Sequence, residues 1–305
     1  MIDVTLLGTG GTMPLKNRWL TSCLIRTEGR GMLIDCGEGT QIALRCAGKS
    51  LQALELLCIT HYHADHISGL PGLLLSMGVD GRTEPLTVCG PVGLERTVEG
   101  LRVIAPELPF SLNFIELEQP EEMLHFAGLD ITAFRADHTL PCYGFKMHLP
   151  RAGKFDANKA RENNVPMKIW GKLQKQETAE FEGVTYHQSQ VLGAARRGLT
   201  VTYCTDTRPV PALYANAQDA DLLILEGMYG DDDKYDKAME TRHMLFSEAA
   251  CIARDAKARR LWLTHYSPSL PNPEDFLPAA QDIFPETVCG TDGMNIDLAY
   301  DECNS

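Results

Sequence analysis

Three histidines and one aspartate fall within six consecutive positions of the chain, after an apolar run and before a Gly-Leu-Pro-Gly stretch. They are His61, His63, Asp65 and His66. Neutral imidazole nitrogens and carboxylate oxygens are the ligands that zinc and similar cations prefer. The whole chain has nine histidines, so this local density favours a metal site over the alternative of a histidine-rich surface loop.

Alternation along an extended segment divides these side chains between two directions. His61, His63 and Asp65 are spaced two residues apart and would point to one side, while His66 turns toward a neighbouring position. A single loop with this pattern could therefore serve two metal ions.

Three further candidates each stand directly after an apolar, strand-like run. They are His138, Asp206 and His265. Because ligands collect where the strands of an α/β sheet end, we expect these side chains to converge on the histidine-rich loop. Each of them alone would be better interpreted as a capping or hydrogen-bonded residue. Together they would supply the missing ligands for two metals.

The rest of the chain supplies the elements that must position these residues. Apolar or alternating runs predict strands in both halves, and helical spacing predicts helices between them. Among them are a strand at 54–60 that delivers the histidine-rich loop, a helix at 66–77, and a meander of strands at 113–117, 122–127 and 129–136. The pattern predicts two sheets packed face to face with helices outside.

The composition changes between Pro150 and Gly198, where the chain becomes basic and loses its regular apolar spacing. The residues that mark the change are Lys154, Lys159, Arg161, Lys168, Lys172, Lys175, Arg196 and Arg197, interleaved with Phe155, Trp170, Phe181 and Tyr186. The segment is predicted to be an insertion lying on the body of the protein. Two interpretations stay open: a solvated connector, or a surface that contacts phosphates and stacks bases on its aromatic rings.

The net charge and the cysteine content indicate which partners and which cellular compartment are expected. The net charge of −13 is unusual for a protein that grips a phosphate backbone, although it leaves room for a local basic patch. Ten scattered cysteines without a C-x-x-C pair predict reduced thiols and a cytoplasmic location. No apolar run is long enough to cross a bilayer and the N-terminus lacks a signal-peptide pattern, so no membrane partner is expected.

The block His61-x-His63-x-Asp65-His66 resembles the signature of the metallo-β-lactamase superfamily. Further stretches resemble its ribonuclease Z branch: Leu7 to Pro14, Asp35 to Gln41, Ile67 to Leu73, and Asp206 to Pro209. The resemblance implies an α/β fold, a four-layer αββα sandwich of the metallo-β-lactamase type. It also implies one domain over residues 1–305, an arm-like insertion at about 150–198, and a homodimer.

The resemblance further implies a role for each candidate. One zinc ion would be held by His61, His63 and His138, the other by Asp65, His66 and His265, with Asp206 bridging the two. Asp65 would also orient and deprotonate the attacking water, His243 would protonate the leaving group, and Glu226 would hold the His243 ring. Manganese or iron could occupy the same ligands. The remaining histidines are interpreted as structural: His125, His148 and His187.

The activity that follows is a zinc-dependent phosphodiesterase, in its most specific form an endonuclease that removes 3′ trailers from pre-tRNA by two-metal hydroxide attack on phosphorus. Two departures from the family pattern bear on the substrate. Met167-Lys168-Ile169 stands where a glycine-proline pair would be expected, and Ser267-Pro268-Ser269-Leu270 replaces a Ser-Arg-Tyr run.

Two other functions are therefore carried as alternatives. The first is a hydrolase of the same fold that acts on a small phosphodiester or another ester. The second is a non-catalytic metal-binding protein. The presence of Asp65, Asp206 and His243 argues against the second, because a structural zinc site needs neither an acid nor a bridging carboxylate.

Overall fold

The computed structural model describes residues 1–300, so Cys303, one of the cysteines predicted to be reduced, lies outside the described part. The chain divides into two units. The body contains Met1–Leu149 and the chain from Leu199 onward, and the second unit, called here the 150–198 unit, is Pro150–Gly198. The nine cysteines in the described residues carry free thiols.

Sixteen strands are present in the described residues. In chain order they are β1 (Ile2–Gly8), β2 (Ser22–Thr27), β3 (Arg30–Ile34), β4 (Leu54–Cys58), β5 (Leu86–Pro91), β6 (Leu112–Leu117), β7 (Glu121–Phe126), β8 (Leu129–Ala136), β9 (Cys142–Arg151), β10 (Thr178–Phe181), β11 (Val184–His187), β12 (Arg196–Cys204), β13 (Leu222–Glu226), β14 (Leu261–Thr264), β15 (Thr287–Cys289) and β16 (Asn295–Leu298).

Ten α-helices connect or flank these strands in the same part of the chain. They are α1 (Thr40–Cys46), α2 (Ala64–Ile67), α3 (Leu70–Val79), α4 (Leu94–Leu101), α5 (Ala157–Glu162), α6 (Trp170–Leu173), α7 (Pro211–Ala217), α8 (Tyr235–Thr241), α9 (Phe246–Asp255) and α10 (Leu277–Ile283). No helix in residues 1–300 is long and apolar enough to span a membrane.

The body contains two seven-stranded sheets. The first has the order β16-β1-β2-β3-β4-β5-β6, and the second has the order β15-β14-β13-β12-β9-β8-β7. In the first sheet, β3 to β6 run parallel, and β16, β1, β2 and β3 pair antiparallel in that order. In the second sheet, β12 to β15 run parallel, and β7, β8 and β9 pair antiparallel.

Alternation along the parallel strands produces a layered core. In β3, Met32 and Ile34 join Phe145 of β9 in the buried cluster between the sheets, whereas Leu33 packs with Leu70 of α3 on the outside. The same alternation in β13 places every second side chain against α9 on the outer face of the other sheet. Both faces of these strands are covered, which explains their continuous apolar runs. The arrangement is helix, sheet, sheet, helix.

Two predicted elements of the body are wrong in detail. The strand near 113–117 is β6, which pairs parallel to β5 in the first sheet and is not part of a meander with β7 and β8. The predicted helix at 66–77 is divided between α2 and α3 at Gly69. A Cβ at Gly69 would lie 2.0 Å from the carbonyl oxygen of Gly37, so this close backbone approach requires glycine there.

The 150–198 unit has a small core of its own. It contains α5, α6 and the hairpin β10–β11, and its buried residues are Ala160, Val165, Ile169, Leu173, Ala179, Val191 and Leu192. The four aromatic residues predicted to stack bases pack partly buried against this core: Phe155, Trp170, Phe181 and Tyr186. These rings therefore have a structural role in the unit, and the interpretation that they also stack bases stays a prediction.

Candidate metal centre

The candidate ligands all lie where strands end. His61 to His66 follow β4, His138 follows β8, Asp206 follows β12 and His265 follows β14. The structure brings them together in three groups, and the ligand atoms within each group lie within 4.8 Å of one another. The third group contains Asp206 of the first and His265 of the second. The side chains are buried apart from His63, which is half-buried. Strands from both sheets therefore contribute to one cluster.

The first group of ligand atoms surrounds His63 Nδ1. This atom lies 2.9 Å from His61 Nε2 and 3.2 Å from His138 Nε2. Asp206 Oδ1 faces the same group, at 3.8 Å from His61 Nε2 and 3.7 Å from His138 Nε2. Three imidazole nitrogens and one carboxylate oxygen therefore point toward a common position.

The second group surrounds the other oxygen of Asp206. Asp206 Oδ2 lies 3.2 Å from His66 Nε2 and 3.4 Å from His265 Nε2, and these two nitrogens are 3.1 Å apart. Asp65 Oδ2 lies 3.3 Å from His265 Nε2. The Asp206 carboxylate thus presents one oxygen to each group, which is the arrangement of a bridging ligand.

The hydrogen bonds on the far side of the rings test whether these residues suit a metal. His66 Nδ1 lies 2.8 Å from Asp35 Oδ2, and His138 Nδ1 lies 3.2 Å from the carbonyl oxygen of Arg242. A carbonyl oxygen and an ionised carboxylate both accept, so each Nδ1 atom donates and each Nε2 atom is left to face the cluster. Asp206 Oδ2 is buried without a hydrogen-bond partner among the described residues. Converging lone pairs and an orphaned carboxylate oxygen fit divalent cations.

The ionisation of the ligands agrees with this interpretation. Burial lowers the pKa of His61, His63 and His138, which favours the neutral rings that metal binding requires. Although burial opposes it, the nearby His265 and His66 lower the pKa of Asp206 well below its usual value. Burial would also lower the pKa of His66, but the negative charges of Asp206, Asp35 and Asp65 outweigh that effect and raise its pKa. A cation among these carboxylates would take the place of that proton.

Two residues next to the ligands were missed by the sequence interpretation. Asp35 is fully buried and accepts hydrogen bonds from the amide and hydroxyl of Thr60 as well as facing His66. Thr60 Oγ1 in turn lies 3.0 Å from His61 Nδ1. Asp35 therefore orients ligands on both sides of the cluster. The available signal was its place directly after the apolar run of β3, the same placement that identified the other candidates.

The backbone at this edge of the sheets is strained. Asp35, Asp206 and His265 have φ values of 61°, 54° and 56°, in the left-handed region that residues other than glycine rarely adopt. Gly11 packs against the last of them, where a Cβ would lie 2.8 Å from Cε1 of His265. The glycine-rich turn after β1 thus serves close packing around a candidate ligand.

His243 lies beside the cluster on a loop between α8 and α9, called here the His243 loop (residues 242–245). Its Nδ1 is 2.8 Å from Glu226 Oε2, and the other oxygen of Glu226 accepts a hydrogen bond from the Thr207 amide at 2.7 Å. Burial alone would lower the pKa of His243, but the Glu226 carboxylate outweighs it and raises the pKa to about 9. Positive charge from bound cations would oppose this rise, so the contact with Glu226 is what favours a protonated ring.

A cleft of about 630 Å³ opens over the cluster. Its lining includes Asp65, Asp206 and His243 together with Thr12 and Glu240. The other three histidines lie elsewhere: His125 pairs with Asp130, His148 contacts Thr200, and His187 belongs to the 150–198 unit. The cleft gives a substrate access to the metal ligands and His243 at the same time.

The two segments that depart from the family pattern are ordered. Met167–Ile169 forms a 3₁₀ turn whose Ile169 belongs to the core of the 150–198 unit. Next to His265, the Ser267 hydroxyl bonds to Ser269, and Arg18 donates to the carbonyl oxygens of Leu270 and Pro271. Both segments therefore have a structural role in this chain.

Comparison with known proteins identifies the family. A family model described as "Anti-Pycsar protein Apyc1" matches residues 2–156, and one described as "Beta-lactamase superfamily domain" matches residues 143–266. Ribonuclease Z of Lachnospira eligens is 52% identical over 302 residues, covering 99% of this chain and 99% of that protein. The chain belongs to the ribonuclease Z family.

Other ribonuclease Z proteins and a solved structure agree. Ribonuclease Z of Lachnoclostridium phytofermentans is 51% identical over 302 residues, with 99% of each chain covered. The short form of human tRNase Z is 25% identical with a TM-score of 0.70, covering 98% of this chain and 100% of that one. The four layers of the body are accordingly the metallo-β-lactamase fold, as the resemblance implied, and its His and Asp clusters suit divalent metal ions.

Proposed function

We propose that this protein is a metal-dependent endoribonuclease that removes 3′ trailers from pre-tRNA. The observation that carries the proposal is the Asp206 carboxylate, which offers one oxygen to each of two ligand groups at the floor of an open cleft. Full-length similarity to ribonuclease Z proteins supports the same reaction. We further propose that the metal is zinc and that two ions bind, with manganese or iron as substitutes.

Bound divalent cations would supply a nucleophile at neutral pH and stabilise the charge that develops on the phosphoryl oxygens. The chain's own residues orient the reactants. Asp65 Oδ2 accepts a hydrogen bond from the Thr12 amide at 2.6 Å and lies against His265, so one oxygen is fixed while the carboxylate faces the cleft. In this position Asp65 can hold the attacking water and take its proton.

Departure of the 3′ oxygen of the upstream nucleotide requires a proton, and His243 is placed to give it. The ring borders the cleft, stacks at 5.7 Å from the His265 ring, and is held through Nδ1 by Glu226. Because Nδ1 is occupied, Nε2 is the atom left to donate. Histidine is the commonest side chain in this role.

We expect His243→Ala to slow cleavage of RNA by about 10²–10⁴-fold, because an alkoxide leaves poorly without a proton. Hydrolysis of bis(p-nitrophenyl) phosphate, whose leaving group needs no proton, should change far less. Steady-state rates on both substrates measure this difference. His125→Ala, an exposed histidine paired with Asp130, is the matched control. Equal slowing on the two substrates would reject the proton-donor role.

The 150–198 unit supplies the basic surface that an acidic protein needs for RNA. Lys154, Lys168, Lys172 and Lys175 are exposed on it, and its aromatic rings are partly buried against its core. We propose that this unit is an arm inserted in a single domain and that it contacts phosphates of the substrate. Contacts of this kind weaken as salt rises, because binding releases counterions.

Incubation with a pre-tRNA that carries a 3′ trailer tests the function directly. We expect one cut, at the 3′ end of the mature tRNA, that depends on added divalent metal and is lost in chelator. The acidic net charge favours the second candidate, a hydrolase of small phosphodiesters. If the protein hydrolyses bis(p-nitrophenyl) phosphate but leaves the pre-tRNA uncut, the result would support that candidate and contradict the first.

We also propose that the protein acts in the cytoplasm as a homodimer, which the family resemblance supports. Sedimentation equilibrium of the metal-loaded protein tests the assembly. A single species with the mass of one 33.7 kDa chain at assay concentration would contradict the dimer.

A further inference from the structure

The side chain of Arg208 lies two residues beyond the candidate bridging ligand and has no role in the chemistry described so far. It is nearly buried, with 10% of its side chain exposed. Its guanidinium forms a two-pronged ion pair with Glu248 of α9 and also donates to the carbonyl oxygen of His243. The ring of Tyr235 lies beneath it, 5.6 Å away. All of these contacts are with the segment that carries or borders the His243 loop.

Glu248 connects Arg208 to the end of the His243 loop. Its Oε2 accepts a hydrogen bond from the Leu245 amide at 3.0 Å while it pairs with Arg208. One guanidinium therefore holds the loop at His243 directly and at Leu245 through Glu248. A bidentate pair of this kind fixes direction as well as distance, because the planar fork matches the carboxylate.

The start of the loop is tied to the ligand cluster by a second pair of contacts. Arg242 donates to the carbonyl oxygen of His138, and the Arg242 carbonyl oxygen faces His138 Nδ1. The residue has a left-handed φ of 57°, so the chain turns sharply directly before His243. After the turn the backbone bridges to Tyr229 at Leu245, and the Arg208 guanidinium adds a contact at the carbonyl oxygen of His243 itself.

We propose that Arg208 is a positioning residue for His243: it fixes the backbone of the His243 loop so that the imidazole stays between Glu226 and the cleft. The segment 206–208 then has three linked tasks. Asp206 faces both ligand groups, the Thr207 amide orients Glu226, and Arg208 fixes the loop. The inference rests on the proposed role of His243 as proton donor.

A double-mutant experiment on the metal-loaded enzyme tests it. We expect Arg208→Gln to lower kcat on RNA by about 10–100-fold, the size of effect that small misplacements of a reacting group produce. The KM for RNA and the rate on bis(p-nitrophenyl) phosphate should be nearly unchanged. In a His243→Ala background the same substitution should cause no further loss, because the group it positions is absent.

Two further variants separate positioning from general damage. Removing Arg208 alone leaves the Glu248 charge without its partner, so the pair Arg208→Gln with Glu248→Gln keeps the interior neutral and should show the same loss in kcat. Arg208→Lys keeps the charge but not the fork, and should fall between the wild type and Arg208→Gln. The control is Arg254→Gln, an exposed arginine of α9 that pairs with Asp255.

Hydrogen exchange of the 242–248 amides gives a readout that does not depend on catalysis. We expect faster exchange there in the Arg208→Gln variants and unchanged exchange in β12 and β13. Two results would overturn the proposal. One is that the losses in kcat from Arg208→Gln and His243→Ala multiply in the double mutant, and the other is that loop amides of the Arg208→Gln variants exchange hydrogen at the wild-type rate. Wild-type RNA cleavage by His243→Ala would instead reject the proton donor itself, and the positioning role with it.

Discussion

Asp65→Ala should abolish phosphodiester cleavage while leaving the fold intact. Asp65 faces one ligand group and the cleft at once, so its removal takes away a metal ligand and the base that orients water. We expect turnover to fall on the order of 10³-fold or more on both RNA and bis(p-nitrophenyl) phosphate. This contrasts with His243→Ala, whose effect depends on the leaving group. Initial rates at saturating metal measure the loss.

The substitution is well suited to the site. Asp65 lies within the helical turn α2, where alanine fits the backbone, and its carboxylate lines the cleft. Asp80→Ala, which removes an exposed partner of Arg45, controls for loss of a carboxylate alone. Near-wild-type turnover by Asp65→Ala, with the control also active, would reject the proposed mechanism.

Asp206→Asn should lower both the metal content and the rate, because a neutral amide replaces the one carboxylate that faces both ligand groups. Asparagine tolerates the left-handed backbone at this position, so the change isolates the charge from the strain. We expect activity to fall by more than about 100-fold, the upper limit seen when a partner outside the ligand set is lost.

Metal analysis of purified protein decides whether the charge acts through metal binding. We expect wild-type protein to hold two ions per chain and Asp206→Asn to hold fewer under the same dialysis conditions. Asp130→Asn, a carboxylate paired with His125 far along β8, is the control. Two tightly held ions in Asp206→Asn would contradict a bridging role.

The fold and the convergence of the candidate ligands could be predicted from the sequence for one physical reason. Buried parallel strands read as apolar runs, and their carboxyl ends meet at a common edge, so polar residues directly after them converge. His138 and His265 are more than a hundred residues apart, yet both were identified by this placement, and the structure sets them in one cluster. The predicted αββα sandwich is confirmed.

What escaped prediction depends on contacts between distant segments. Asp35 was not assigned a role from the sequence, and its carboxylate lies between Thr60 and His66 only in the folded chain. The break at Gly69 follows from the approach of the Gly37 carbonyl, which no local pattern reveals. The grip of Arg208 on Glu248 joins residues 40 positions apart. Long side chains with several donors leave their partners undetermined until the fold is known.

The left-handed conformations at Asp35, Asp206 and His265 lower the stability of the fold at positions that build the candidate metal centre. Each costs on the order of 1–3 kcal/mol, and glycine at the same position would relieve most of it. The contacts of the surrounding fold must therefore offset this cost at all three positions.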